Sequence, residues 1–359
     1  MPDELVELPF PNLLSRDVKK STFAFLLLAL SLLPGCRKEH HASAPARAFY
    51  YWKHEYKLGN LEDSALSTLH IKKIYVKFFD VTASDHGAIP VATIGFDSSS
   101  LRSNIEYVPV IFITQAALLG TDEKLIDTLA AEIVSKTFRI ADREGLQLHE
   151  IQLDCDWAQH SRAKYFRLVE VIGKLVAQRK MITSCTIRLH QVKYRSESGL
   201  PPCSRGMLMF YNMTDWRRPQ TKNSIFDPEE AEKYLPYIKD YPMQLDVALP
   251  IFHWAIAYRG ASFLAILDGA RRDMLTAKNI FVADGDKFRV LRDTFAFGAR
   301  LQSGDMIRAE SCDAKIIAQY SARISSLLPD EERSFALFHL DSATLTRYSH
   351  DELESLFPH

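Results

Sequence analysis

Apolar residues in this chain follow two rhythms. Short runs with a period of two alternate with longer stretches whose period is near 3.6. The short runs are Ala48 to Lys53, Ile74 to Asp80, Tyr107 to Ile113, Glu150 to Asp156, Ser184 to His190, Met207 to Asn212, Gln244 to Pro250 and Phe335 to Leu340. They predict eight strands. The longer stretches predict helices over Glu123 to Arg143, Arg162 to Arg179, Pro228 to Lys239 and Ser262 to Thr276. The first carries Leu125, Leu129, Ile133 and Val134 at helical spacing. The third opens with Asp227-Pro228-Glu229-Glu230, a cap, a first-turn proline and acids at the positive end. Strands that alternate with helices imply a parallel sheet. Eight of them predict an α/β fold, a closed (β/α)8 barrel spanning 47–359. An open doubly wound sheet is the alternative, but no G-x-G-x-x-G turn follows the first strand. Thr82 to Ser103 reads as a long loop, and 279–310, with Gly285, Gly298 and Gly304 as turn signals, as a small β-hairpin insertion between strands seven and eight.

The fourth run organises the rest. Ile151, Leu153 and Cys155 fall on one face, and Gln152, Asp154 and Asp156 on the other. Two carboxylates then sit about 7 Å apart along the strand, at a rise of roughly 3.3 Å per residue. Burying bare carboxylates is costly, so that face must be paired, wet or functional. Strand five offers Thr186, Arg188 and His190 on one parity, strand seven offers Gln244, Asp246 and Ala248, and strand two carries Lys77. Arg188 and Lys77 are the expected partners of Asp154 and Asp246, in a supporting role. In a barrel the chemistry gathers where strands finish, which singles out Asp80, Asp156, His190, Asn212, His253, Trp254 and Asp341. Asp156, Asp154, Asp80 and His190 are the candidate catalytic residues. Tyr50, Trp52, Trp157, Tyr211, Trp216 and Trp254 crowd the same rim, where rings beside carboxylates would suit a sugar. Taken singly, each ring is better accounted for by packing.

Composition narrows the classes. The 359 residues are 47% hydrophobic and 25% charged, with a net charge of -1, which argues against a nucleic-acid partner. Ahead of the barrel, Lys19-Lys20, the apolar run Phe23 to Leu33 and Leu33-Pro34-Gly35-Cys36 have the build of a secretory signal over 1–36. The apolar run is too short to span a bilayer, which takes roughly 20 residues. Leu-Pro-Gly-Cys resembles a bacterial lipobox, with Cys36 as the lipidated residue, and 37–46 reads as a tether in which His40 and His41 are solvated. Cys155, Cys185, Cys203 and Cys312 lack metal-ligand spacing, so neither a metal nor another cofactor is expected. Cys155 and Cys185 lie on neighbouring predicted strands, as buried thiols or as a disulfide.

Leu153-Asp154-Cys155-Asp156-Trp157 resembles the strand-four signature Asp-Gly-x-Asp-x-Asp-Trp-Glu of the chitinase-like family-18 glycoside hydrolases. Met209-Phe210-Tyr211-Asn212 resembles that family's strand-six Met-x-Tyr-Asp. The departures are Ile151 at the first Asp, Asn212 at the strand-six Asp, and Ala158 where the family places its proton-donating Glu. The resemblance implies that Asp156 orients, and Tyr211 hydrogen-bonds, an N-acetyl group in a substrate-assisted mechanism. From their own positions on the rim, Trp52, Trp157, Asn212, His253 and Trp254 are expected to bind substrate beside Tyr211. The whole chain also resembles a group of envelope lipoproteins of Bacteroides-type bacteria that carry this barrel, which implies an outer-membrane location.

Three readings follow. The chain is a glycosidase whose acid has moved, to Asp156, His190, Asp80 or Glu310, with Asp80 or Asp341 as a second carboxyl; or it is a barrel that binds glycan or an envelope partner without cleaving it; or its charges are purely structural. Cys36→Ser is expected to release the protein from membranes in a fractionation experiment, and continued membrane attachment would refute lipidation at Cys36.

Overall fold

The computed structural model describes residues 44–85, 87–277 and 279–358. The predicted signal, the tether up to residue 43 and Cys36 lie outside them.

Eight strands close into a parallel barrel. They are β1 (Ala46–Tyr51), β2 (Lys73–Ser84), β3 (Glu106–Ile113), β4 (Glu150–Asp154), β5 (Ile182–Arg188), β6 (Arg205–Met209), β7 (Leu245–Pro250) and β8 (Ser334–Phe338). β1 pairs with both β2 and β8, in register Tyr50 with Tyr75 and Phe49 with Leu337, which leaves no edge in the ring. Each strand lies within the expected run to within a few residues. The outer side chains of β4, Ile151 and Leu153, are fully buried against helices, as are Cys185 and Ile187 of β5. Helix α1 (Ile126–Glu144) buries Leu129, Ile133 and Ile140 at helical spacing and ends at Gly145, whose φ of 68° suits the left-handed position after a helix. Helix α2 (Arg162–Ala177) buries Tyr165, Leu168, Ile172 and Val176. Each such aliphatic side chain contributes roughly 1.5–3 kcal/mol. Among the described residues no helix is long and apolar enough to cross a membrane.

Three segments differ from expectation. Ser262 to Thr276 is not a helix: Ser262–Leu267 is a strand that pairs antiparallel with His253–Arg259. Phe263, Leu264, Ile266 and Leu267 have spacing that suits either element, and the hairpin turn at Gly260, φ 57°, decides it. The insertion is therefore a five-stranded antiparallel sheet running from His253 to Ser311, with its own core around Ala257, Phe281, Phe288 and Ile307. It begins earlier than 279–310. Pro228 to Lys239 forms two short helices, Pro228–Glu232 and Leu235–Ile238, with Pro236 opening the second. The loop after β2 is partly ordered, since Gly87–Val91 folds back onto β2 as a hairpin.

The end of the barrel where the strands begin is closed by charge. Lys73 lies 3.3 Å from Glu150 and 3.5 Å from Glu106. Arg205 lies 3.3 Å from Asp246, which also accepts 2.6 Å from the Ser334 backbone N–H and 3.4 Å from the Tyr75 hydroxyl. Asp246 is thus paired with Arg205 rather than with Arg188 or Lys77, and its place on β7 is the opposite end from the strand termini that hold Arg188.

Burial pushes the Asp246 carboxyl up to about 6 despite the Arg205 guanidinium. The folded chain therefore holds this proton more tightly than the unfolded chain, whose carboxyl has a value of 3.8. Its contribution to stability is full below about pH 4 and is lost as pH rises through 6, by at most about 3 kcal/mol. Urea titrations at several pH values are expected to show that slope, and Asp246→Asn is expected to remove it.

Candidate functional site

β4 and β5 finish side by side, and their last inward residues are Asp154 and Arg188. Asp154 accepts from the Thr186 hydroxyl at 2.6 Å and from the Arg188 guanidinium at 3.2 Å. The same guanidinium donates through Nε to Asp156, two residues past the end of β4. One cation therefore serves two acids of different exposure: the Asp154 side chain is 5% exposed, that of Asp156 58%. Burial raises the Asp154 pKa, and Arg188 and Thr186 only partly oppose it. At Arg188 burial disfavours the charge, but Asp154 and Asp156 together outweigh it and raise the pKa.

Above this clamp opens a cleft of about 690 Å³. Asp156, Ala158 and Arg188 lie in it, with Tyr211 and Asn212 from the end of β6. His190 lines it from the short helix Leu189–Lys193, where burial lowers the imidazole pKa. Asn212 has a φ of 54° and its N–H donates to the Ile225 carbonyl, which starts the loop that walls the cleft. That loop brings Asp215, Trp216 and Arg217, the last lying over the Trp216 ring at 4.2 Å from its centroid. Gln115, Tyr194, Glu197 and Tyr234 complete the wall. Of these, Trp216 was expected among the rim aromatics, but nothing in the spacing pointed to Glu197 or Gln115.

Glu310 fastens this wall. It sits opposite Trp254 in the insertion sheet and accepts from Trp254 Nε1 at 2.8 Å, the Ser224 N–H at 2.7 Å and the Ser224 hydroxyl at 2.6 Å. Arg308 donates to it through Nε and to the Trp216 and Arg218 carbonyls through its other nitrogens. The Tyr258 hydroxyl donates to the Trp216 carbonyl at 2.6 Å. Glu310 is buried with both carboxyl oxygens engaged and does not line the cleft, so it is not placed to meet a ligand there.

Other expected site residues fall elsewhere. Lys77 pairs at 3.1 Å with Asp80, not with Asp154 or Asp246, and lies over the Trp52 ring at 5.5 Å. A register irregularity between Lys77 and Phe79 turns residues three apart toward one another. Asp80 and Trp52 do not line the cleft; Trp52 packs against Phe112 and Phe338. Trp157 is buried, stacked on Tyr165 at 5.0 Å, and donates to the Ser198 carbonyl, so its ring is a wall support and not a free platform. Tyr211 does line the cleft, but it is largely buried, with its hydroxyl 3.4 Å from the Met209 sulfur. Trp254 supports Trp216 from behind, at 6.3 Å between centroids. His253 starts the insertion and lies outside the cleft lining. Asp341 caps the helix Ser342–Leu345 and pairs with Lys53 at 2.7 Å; burial opposes its charge, but Lys53 holds its pKa down. The four described cysteines are free thiols. Among the described residues no three His, Cys, Asp or Glu side chains converge as a metal site requires.

No protein-family model matches the chain, and neither does any curated protein. Solved structures do match in fold. The chitinase of Chromobacterium violaceum aligns with a TM-score of 0.55 at 13% identity, over 88% of this chain and 100% of that one. The Bacillus megaterium spore cortex-lytic enzyme SleL aligns at 0.55 and 14%, over 88% and 75%. The class V chitinase of Nicotiana tobaccum aligns at 0.52 and 11%, over 87% and 98%. The chain thus shares the fold of these three structures, an eight-stranded parallel barrel.

Glu310→Ala leaves the Arg308 guanidinium buried without its carboxylate. It is expected to cost about 3–5 kcal/mol in urea unfolding and to free the Trp216 wall, seen as a change in tryptophan emission of the folded protein.

Proposed function

We propose that the cleft above Asp156 holds an oligosaccharide without hydrolysing it. One observation carries this reading: the position of the strand-four acid is Ala158, and the neighbouring Asp156 is bound to Arg188. Glycoside cleavage needs a protonated group at the leaving oxygen and a second group for the anomeric carbon. Asp154 has a raised pKa, but it lies beneath Arg188 and Thr186, out of reach of a ligand. His190 has a lowered pKa and so is a weak proton donor at neutral pH. Asp80 and Asp341 are spent on lysines outside the cleft.

What remains suits binding. Trp216, Tyr194 and Tyr234 offer apolar faces for pyranose rings, and Gln115, Asn212, Asp156 and Arg188 offer polar atoms for their edges. The fold likeness supports the ligand class, since the tobacco chitinase has been solved in complex with NAG4. On the sequence pattern around Cys36, the barrel acts at the bacterial envelope through a lipid anchor.

The test is calorimetric titration with chitotetraose. The native chain is expected to bind it saturably, and Trp216→Ala and Asp156→Asn each to weaken binding about tenfold, the scale of one lost aromatic or charged contact. Unchanged affinity in both variants would place the ligand elsewhere.

A further inference from the structure

A second cleft, of about 860 Å³, opens where the insertion meets the loop after β8. Its walls carry Arg271, Arg272 and Asp273 from the insertion and Thr346 and Arg347 from the β8 side. Three guanidiniums thus face one carboxylate. Asp273 accepts from Arg271 through Nε at 3.2 Å and a terminal nitrogen at 3.1 Å, which leaves the other terminal nitrogen of Arg271 to a ligand. Arg272 is held in place by the Asp286 carbonyl at 3.2 Å and by the Phe288 ring at 5.1 Å. The Arg347 side chain has no hydrogen bond or ion pair among the described residues.

Behind them lies His253, whose buried Nδ1 has no partner among the described residues. Burial, then Arg347 and Arg271, lower its pKa to about 4, while Asp341 and Asp273 act weakly the other way. His253 is therefore neutral at pH 7, and the field it feels is cationic. Uncompensated cations in a concave site concentrate anions, and a guanidinium fork matches an oxyanion through two parallel hydrogen bonds. The place is also apt, because barrels of this kind often gather phosphate groups beyond the ends of strands seven and eight.

We propose that this cleft is a binding site for an oxyanion, a phosphate, sulfate or carboxylate group, held by Arg347 and Arg271 with Thr346 beside them. The group is either a free ion or a charged substituent of a glycan, and only the second source rests on the glycan reading of the larger cleft.

The experiment is an NMR titration of the native chain with inorganic sulfate, following the His253 ring signals. A saturable shift is expected, and Arg347→Gln and Arg271→Gln should each weaken it about tenfold, the effect of one lost charge-assisted contact. Circular dichroism confirms that the variants fold. N-acetylglucosamine 6-sulfate that binds more tightly than inorganic sulfate, with unsulfated N-acetylglucosamine leaving His253 unmoved, assigns the site to a glycan-borne group; equal affinity of the two anions assigns it to the free ion. Absence of a saturable shift, or sulfate binding that both variants leave unchanged, overturns the proposal. Chitotetraose titrated into Arg347→Gln separates the two clefts: its binding is expected to equal that of the native chain, whereas its loss from the native chain, with sulfate binding intact, would sink the glycan reading alone.

Discussion

The upper half of this barrel depends on one guanidinium held between two carboxylates. The register that pairs Leu153 with Cys185 brings Asp154 beside Thr186, and Arg188, two residues farther along β5, reaches it with its guanidinium. Without Arg188, Asp154 would be a buried anion with only the Thr186 hydroxyl for company, and burial alone already pushes its pKa up. Reaching on to Asp156 fixes that exposed carboxylate at the floor of the cleft. A charge pair of this type contributes little net stability after desolvation, but loss of one partner is costly. The clamp is therefore better understood as fixing geometry than as a source of binding energy for the fold.

The two ends of the barrel use charge differently. At the end where strands begin, buried charges pair off, Lys73 with Glu150 and Arg205 with Asp246. At the other end the charges are shared between buried and exposed partners, and loops held by Glu310 raise walls around them. The insertion takes part in both clefts, as the support for Trp216 and as the source of Arg271 and Arg272.

Much of this was legible in the sequence where regular geometry governs. The period of two on β4 put Gln152 and Asp154 inside, and the same parity on β5 supplied Thr186 and Arg188. It failed where a strand is irregular: the kink after Lys77 gave that lysine to Asp80. It failed also for Asp246, since alternation tells which face a residue takes and not which neighbour's charge meets it; that is set by stagger between strands. Ser262–Leu267 was ambiguous because six apolar-rich residues satisfy either period, and only pairing across Gly260 made them a strand. Glu197 and Gln115 were invisible because they reach the cleft from connections whose paths depend on packing.

Mass spectrometry of chitotetraose after prolonged incubation with the protein tests the central claim most directly. With Ala158 in place of the acid and Asp156 held by Arg188, the tetrasaccharide is predicted to stay intact while remaining bound. Shorter sugars that accumulate with time in proportion to protein concentration would contradict it and would require a proton donor in the cleft other than the residue at position 158.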